Sequence, residues 1–315
     1  MGGSSTCGGC GVERYHWPSM ASKPIQLNKG VPAVRGGTHG VRVLRLSRNG
    51  DRESEDRVAV EAPLEFQLHH PALGGKPVSF GATMRTPGDD EHLAAGLLFG
   101  EGLINGAVDI GAIETSTRRP NVVNVRLQPS VPIEVPALAR HFSAGSSCGV
   151  CGTTGLDAAI ARAAATRITA GATADLAVLL SLPARMRAAQ SQFGDTGGIH
   201  AAAVFDLSGS MLGIAEDVGR HNALDKLVGE NLLAGRLPLA QRIVLLSGRA
   251  SFELVQKALR AGVPILAAIG APSSLAVKLA AAAGLTLVGF LRDAHCNVYA
   301  HAERIVHADT AYPTV

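Results

Sequence analysis

The second half of the chain alternates short apolar segments with segments of helical character, and this alternation constrains the fold most strongly. The apolar segments RIVLL, VPILAAIG and LTLVGFL occupy residues 242–246, 263–270 and 285–291. Strands that are buried on both faces of a sheet show such uninterrupted apolar runs. The helical segments end at glycines, which commonly follow a helix C-terminus: Gly235, Gly262 and Gly284. The pattern predicts an α/β domain with a parallel sheet.

The first half of the chain carries shorter segments with a different pattern. Residues 41–46, 58–68 and 76–85 alternate polar with apolar positions or are rich in strand-forming residues, which predicts a meander of antiparallel strands. A helix capped by a threonine or an aspartate is predicted over 91–104, and one more strand over 121–127. This half is therefore predicted to form a smaller α+β unit.

The 315 residues suggest about two domains, because a typical domain has roughly 150. Residues 1–39, rich in Gly, Ser and Pro, are predicted to form a flexible tail, and residues 40–140 the N-terminal α+β domain. Residues 141–309 are predicted to form the C-terminal α/β domain. Within it, the glycine-rich segment 144–155 predicts a mobile loop that leads into a helix, and Pro183 marks the start of another helix, up to residue 192.

Composition excludes several classes of protein. The net charge is only +3 and aromatic residues make up 4%, too little for a protein that binds a nucleic-acid backbone or stacks on bases. No apolar run approaches the 18 or so residues that span a membrane, and the first 20 residues lack the apolar core of a secretory signal. Four of the five cysteines form two C-x-x-C pairs, which is not a disulfide framework. We therefore expect a cytoplasmic protein.

The pair Cys148 and Cys151 is the leading candidate for chemistry. It lies just before a predicted helix, and a helix N-terminus lowers the pKa of a cysteine and favours the nucleophilic thiolate. The flanking glycines suggest a loop that can carry sulfur between two sites. Two other interpretations remain open: a structural zinc site, shared with the tail pair Cys7 and Cys10, and a redox pair of thioredoxin type.

Three loops follow the apolar strands, and chemistry in α/β sheets collects at the carboxyl ends of strands. Ser247 and Arg249 follow the first strand, Ser273 the second and Arg292 the third, next to Phe290. Small hydroxyl residues and free N–H groups at helix starts suit phosphate groups, arginine binds phosphate in a bidentate manner, and a phenylalanine can stack on a ring. No metal site is predicted here, and each feature taken alone is also compatible with an ordinary helix cap or core residue.

Two further sets of polar residues are candidates for ligand binding. The segment EDVGRHNALDK, residues 216–226, contains six ionisable groups. Arg220, His221 and Asn222 near the helix start could bind an anion or a base edge, while Asp225 and Lys226 are expected to be surface charges. A salt-bridged turn that binds no ligand is the alternative interpretation. His200 follows two glycines at a strand start, where it is either a satisfied core residue or a ligand contact.

Taken in order, the segments TPGDDEHLAAGLLFGEGLI, SSCGVCG, GGIHAAAVFD, EDVGRHNALDKLVG, SGRASFELVQKAL and APSSLAVKLA resemble the formate dehydrogenase accessory sulfurtransferase family, FdhD. The likeness extends from about Val41 to Tyr299. It implies a homodimer whose C-terminal domain is a three-layer α/β structure of the cytidine-deaminase-like fold.

The resemblance also implies an activity. Such a protein accepts a persulfide from a cysteine desulfurase and passes the sulfur to the bis(molybdopterin guanine dinucleotide) cofactor, in its molybdenum or tungsten form, before insertion into formate dehydrogenase. The family's carrier cysteine matches Cys148, and Cys151 would assist or relay. The guanine nucleotide moiety would be held by the segment Phe290, Leu291, Arg292, Asp293, Ala294 and His295, aided by Ser247, Arg249, Ser273, Arg220 and His200.

Two features depart from the family pattern. His295 stands where relatives often have a second arginine, and Cys296 is an additional thiol beside that loop. The alternative function is a chaperone that shields the cofactor and whose cysteines only clamp a metal. A nucleotide-binding metabolic enzyme with His200 or His221 as its base ranks last.

Overall fold

The computed structural model describes residues 37–116, 118–133, 167–168 and 171–307. The predicted glycine-rich loop with Cys148 and Cys151, the helix expected after it and nearly all of the predicted tail lie outside these residues. The domain boundary predicted at residue 140 lies outside them as well and stays a prediction.

The first part of the described chain contains a two-stranded ribbon, a four-stranded sheet and one helix. The strands and the helix are β1 (Thr38–Arg45), β2 (Arg52–Ala59), β3 (Ala62–His69), β4 (Val78–Arg85), α1 (Asp90–Gly100), β5 (Ile110–Ser116) and β6 (Arg119–Leu127). β1 and β2 pair with each other, and the sheet has the order β4-β3-β6-β5. β3 alternates buried and partly exposed residues, as expected for a strand with one face on the core.

The predicted antiparallel meander is only partly correct. The single strand predicted over 58–68 is two strands, since β2 ends at Ala59 and β3 begins at Ala62, and β1 and β2 pair apart from the four-stranded sheet. β3 pairs in antiparallel manner with β4 but in parallel with β6, and β5 was not predicted. The reason is that α1 carries the chain across the sheet after β4, so that β6 arrives at the free edge of β3 in the same direction. The cap of α1 also differs from the prediction, because Asp89 holds the cap position without a side-chain hydrogen bond and the hydroxyl of Thr86 accepts the N–H of Val218 instead.

The second part is an α/β unit around a six-stranded sheet. Its elements are β7 (Ala174–Asp175), α2 (Leu176–Ala189), α3 (Ser191–Thr196), β8 (His200–Asp206), β9 (Met211–Asp217), α4 (Arg220–Leu233), β10 (Arg242–Leu246), α5 (Phe252–Arg260), β11 (Ile265–Ala268), α6 (Ser274–Ala283), β12 (Thr286–Gly289), β13 (Asn297–Ala300) and β14 (Ile305–Val306). The sheet order is β13-β12-β11-β10-β8-β9, and β10, β11 and β12 are parallel. The α/β class is thus confirmed, whereas the cytidine-deaminase-like fold stays a prediction.

Both faces of this sheet are covered. Ala201, Ala203 and Phe205 of β8 pack with Leu179 and Leu182 of α2 on one face. The alternate residues of β8 face a second cluster that includes α4, α5, α6, α1 and the four-stranded sheet. The three parallel strands are fully buried, as their uninterrupted apolar sequences predict.

Helix α2 begins earlier than predicted. The sequence predicts a helix that starts at Pro183, but this proline lies inside α2, which starts at Leu176. Asp175 determines the start, because its carboxylate accepts the N–H of Ala177 at 2.6 Å and so caps the helix. The C-terminal glycines behave as predicted: Gly235, Gly262 and Gly284 all have left-handed φ angles directly after α4, α5 and α6.

Helices α1 and α4 cross at very short distance. A methyl group added at Gly96 would lie 1.9 Å from the carbonyl oxygen of Asp225, and one added at Gly229 would lie 1.8 Å from that of His92. The two glycines allow the backbones to touch, and the hydrophobic core continues from Phe66 and Leu98 to Leu224 and beyond.

Candidate functional site

The loops after the three parallel strands come together at one edge of the sheet, as the sequence predicted. Gly270, after β11, donates its N–H to the carbonyl of Gly248, after β10, at 2.9 Å. Phe290, after β12, donates to the carbonyl of Gly270 at 3.1 Å. Because the backbones are bonded to one another, the side chains that these loops carry are held in a fixed order along the edge.

His200 joins this edge from the antiparallel strand β8. Its Nδ1 lies 3.5 Å from Oγ of Ser247, which also accepts the N–H of Ala201 at 2.8 Å. Gly248 permits the approach, since a methyl group there would lie 3.3 Å from the imidazole ring. Burial, with the nearby guanidinium of Arg220, lowers the pKa of His200 below its ordinary 6.5. The imidazole is therefore neutral at pH 7 and able to accept or donate a hydrogen bond.

Arg220 is the first residue of α4 and lies between the edge and the interior. Its Nε is buried and has no hydrogen-bond partner in the described part of the chain. A buried donor without a partner costs free energy, so this position favours a bound acceptor such as a phosphate oxygen. The structure thus brings Arg220, His200 and Ser247 together.

The loop after β12 presents an exposed aromatic ring. Phe290 has a left-handed φ of 51° and its side chain is 40% exposed, which is unusual for a large apolar residue. Arg292 is anchored through Nη1, which donates to the carbonyl of Leu291 at 2.9 Å and to that of Ile269, while its backbone N–H binds His295. The guanidinium is thereby oriented at the surface, beside Phe290.

Not every residue expected at this site presents its side chain there. Leu291 is completely buried in the core, so its contribution is to anchor the loop rather than to touch a ligand. Ser273 uses its hydroxyl to cap α6 by accepting the N–H of Ala276. Arg249 is exposed with its stem packed on Gly270. Asp293, Ala294 and His295 are exposed.

A second group of polar residues lies behind Arg220, and sequence reasoning missed it. Asp225 was expected on the surface, yet its side chain is 3% exposed and its carboxylate binds Nζ of Lys257 at 2.6 Å. Lys257 also lies 3.3 Å from Glu253, whose other oxygen is 3.6 Å from Nε2 of His221. The same Nε2 is 3.2 Å from Oγ of Ser251.

Burial alters the ionisation of this group. It raises the pKa of Asp225 from 3.8 to about 6, against the attraction of Lys257. It raises the pKa of Glu101, which ends α1, from 4.5 to about 7. Burial lowers the pKa of His221, so the imidazole is held towards its neutral form. One lysine is therefore surrounded by three carboxyl groups, two of which bind protons more readily than usual.

Lys226 was also expected to be a surface charge, and it is 2% exposed. Its Nζ lies 2.8 Å from Asp217 and donates to the carbonyl of Thr86 at 2.8 Å. Asp217 accepts the N–H of Thr86, and the amide of Asn222 donates to Met84 and to Asp217. The charged residues of EDVGRHNALDK therefore mainly bind the β4–α1 connection and hold it against the start of α4. The sequence signal was present, since six ionisable groups are too many for one solvated turn.

A cavity of about 510 Å³ adjoins the edge at Arg220. The four-stranded sheet and α1 line one side of it, and the first turns of α4 and α5 line the other. Within the described residues, no group of three or more His, Cys, Asp and Glu is arranged to hold a metal ion. No helix in the described ranges is long and apolar enough to cross a membrane.

Comparison with known proteins gives consistent results. The model of the FdhD/NarQ family matches residues 59–306. The sulfur carrier protein FdhD of Streptomyces avermitilis is 48% identical over 279 residues, covering 84% of this chain and 94% of that protein. FdhD of Thermoplasma acidophilum is 39% identical, covering 91% of this chain and all of that one.

A solved structure shares the fold. It is described as a formate dehydrogenase accessory protein from Desulfotalea psychrophila, with a TM-score of 0.67 and 26% identity. The match covers 86% of this chain and 100% of that chain.

Proposed function

Because the chain belongs to the FdhD/NarQ family, we propose that it is a sulfur carrier that serves the maturation of formate dehydrogenase. Relatives that align over most of its length carry the name sulfur carrier protein FdhD, and this is the observation on which the proposal rests. The carrier residue is Cys148, which stands in the CGVCG segment by which the sequence resembles the family.

The proposed first step is a thiol exchange. The Cys148 thiolate attacks the outer sulfur of a cysteine desulfurase persulfide, the S–S bond of the donor breaks, and the donor leaves as a thiolate. Cys148 then carries a persulfide, Cys148–S–SH, and no net oxidation has occurred. Sulfur enters as a formally neutral atom, so its release as sulfide requires two electrons.

Cys151 supplies these electrons in our proposal. Its thiolate attacks the inner sulfur of the Cys148 persulfide, which forms a Cys148–Cys151 disulfide and releases hydrosulfide to the acceptor. A cellular dithiol then reduces the disulfide and returns both thiols. The acceptor, written here as the substrate, is the molybdenum or tungsten bis(molybdopterin guanine dinucleotide) cofactor.

The sheet edge is the proposed binding place for the guanine dinucleotide. Arg292 and Arg220 offer charge to phosphate oxygens, and the buried Nε of Arg220 supports this because it lacks a protein acceptor in the described ranges. Phe290 offers an exposed ring for stacking, while Ser247 and the neutral His200 offer hydrogen bonds. Homodimer formation, a cytoplasmic location and the cytidine-deaminase-like fold belong to the same proposal.

Complementation tests this function against the alternative of a cofactor-shielding chaperone. The gene and its variants are expressed in a bacterium that lacks its own family member, and formate dehydrogenase activity is measured. We expect the wild-type chain and Cys296→Ser to restore activity, and Cys148→Ser to leave it at background. Full restoration by Cys148→Ser, with stoichiometric zinc in the purified wild-type protein, would favour the chaperone.

A further inference from the structure

The cavity behind Arg220 combines one apolar side with one polar side. The apolar part of its lining includes Phe66, Leu93, Leu97 and Phe252. Its polar side is formed by the first turns of α4 and α5 and carries a short set of groups: Arg220, His221, Asn222, Ser251, Glu253, Asp225 and Lys257. With a volume of about 510 Å³, the cavity is within the range of small-molecule sites.

Two carboxylate oxygens on the polar side lack a close hydrogen-bond donor among the described residues. Lys257 binds one oxygen of Asp225 and lies near one oxygen of Glu253. The second oxygen of Asp225 is buried and has no hydrogen-bond partner among the described residues. The second oxygen of Glu253 is 3.6 Å from His221, beyond a normal hydrogen bond. A ligand with N–H groups directed at these carboxylates would satisfy acceptors that the protein leaves without donors.

The composition of the lining narrows the ligand further. A lining that combines aliphatic and aromatic side chains with carboxylates suits a heteroaromatic ring, as in sites that read a base by its hydrogen-bonding edge while apolar side chains cover its faces. The 2-amino-4-oxopyrimidine edge offers a ring N–H and an exocyclic NH₂ side by side, so it can donate to two acceptor oxygens, one from each carboxylate. Guanine and pterin both carry this edge.

We propose that the cavity binds the 2-amino-4-oxopyrimidine edge of a guanine or pterin ring, with the Glu253 and Asp225 carboxylates as its acceptors. Arg220 stands between the cavity and the sheet edge, so the substituent of the ring, with its phosphate, leaves the cavity past this guanidinium. The inference rests on the proposed function, since the cofactor contains both rings, and it assigns one of them to a place distinct from the loop at Phe290 and Arg292.

Binding of free pterin and guanosine to the purified full-length protein tests the inference. Pterin binding is followed by its fluorescence, and guanosine by competition or calorimetry, with inosine as the analogue that lacks the amino group. A site that hydrogen-bonds an amino group discriminates strongly against its absence. We expect inosine to bind at least about 10-fold more weakly than guanosine. The compound that binds with the higher affinity, pterin or guanosine, identifies the ring that occupies the cavity.

Two variants locate the binding. Ala82 is exposed in β4 and lines the cavity, so Ala82→Phe fills space without disturbing the core, and Ala282→Phe on the exposed side of α6 is its control. We expect Ala82→Phe and Glu253→Gln to weaken binding of the preferred ring at least about 10-fold, and Ala282→Phe to leave it unchanged.

Three outcomes would overturn the inference: no binding of either ring, equal binding of inosine and guanosine, or binding to Ala82→Phe as tight as to the wild-type protein. Sulfur loading of Cys148 is measured on the same preparations. If loading is normal while ring binding fails one of these tests, only the cavity assignment is wrong. If Cys148 takes no sulfur, the proposed function fails independently of ring binding.

Discussion

Single side chains at the sheet edge were only partly predictable. The sequence places His200 at the start of one strand and Ser247 just after the end of another. The antiparallel pairing of β8 with β10 is what brings Nδ1 of His200 within 3.5 Å of Oγ of Ser247. The sequence predicts Asp225 and Lys226 at the surface, because its pattern indicates only one buried side for α4. The contact with α1 buries a second side, and charge pairs that look solvated in sequence become internal.

Arg292 is the residue whose removal tests the edge most simply. Its Nη1 is used to anchor the loop, and the rest of the guanidinium is exposed for a phosphate. We expect Arg292→Ala to lower the affinity for guanosine diphosphate about 10-fold, since a hydrogen bond to a charged group contributes about 1.5–3 kcal/mol. Calorimetry measures this, with Arg42→Ala on the exposed ribbon as the control. An unchanged affinity would place the phosphate elsewhere.

Glu101 gives a prediction about pH. Its pKa is raised from 4.5 to about 7 in the folded protein, so between these values the folded state holds a proton that the unfolded chain has released. The stability due to protonated Glu101 is therefore present at low pH and is lost as the pH rises through this window. Between pH 5 and 8, we expect the free energy of unfolding of Glu101→Gln to rise by about 1–3 kcal/mol relative to wild type.

Urea unfolding of both proteins at several pH values measures this difference, in which the titrating groups that do not interact with Glu101 cancel. A difference that does not vary with pH would contradict the raised pKa.

Helices and strands were predicted best where a periodic pattern or a specific terminal residue defines them. The three parallel strands and the glycines after α4, α5 and α6 agree with the prediction. The start of α2 differs from the prediction because Pro183 lies inside the helix, whereas the Asp175 cap sets its first residue. The strands β5, β9 and β13 were missed because pairing with neighbouring strands, rather than their own sequences, makes them strands.

The crossing of α1 and α4 is the contact between elements that is most sensitive to substitution. A methyl group at Gly229 would overlap the backbone of α1, which cannot move as a flexible side chain can. We expect Gly229→Ala to lower the free energy of unfolding by about 1–3 kcal/mol. Gly194→Ala in α3 is the matched control, since nothing lies within 4 Å of the added methyl group. Equal thermal stability of the two variants would contradict the close crossing.

For the molecule as a whole, the sequence predicts the fold class but not how the two halves of the chain pack together. The pattern of apolar residues depends only on neighbouring positions in the sequence. It predicts an α/β unit in which the loops with polar residues lie at one edge of the sheet. How the first half packs on the second depends on long-range contacts such as Lys226 with Thr86, which no local pattern contains. The family resemblance supplied the activity, and the carrier cysteine lies outside the described residues, so chemistry must test it directly.

Intact-protein and peptide mass spectrometry under non-reducing conditions provides that test. The purified protein is incubated with a cysteine desulfurase and L-cysteine, alongside Cys148→Ala and Cys296→Ala. Cys296 is a suitable control because burial raises the pKa of its thiol and makes it a poorer nucleophile. We predict a gain of one sulfur, about 32 mass units, on the peptide that contains Cys148, absent from Cys148→Ala and retained in Cys296→Ala. Sulfur at another cysteine, or none with bound zinc instead, would contradict the proposed sulfur carrier.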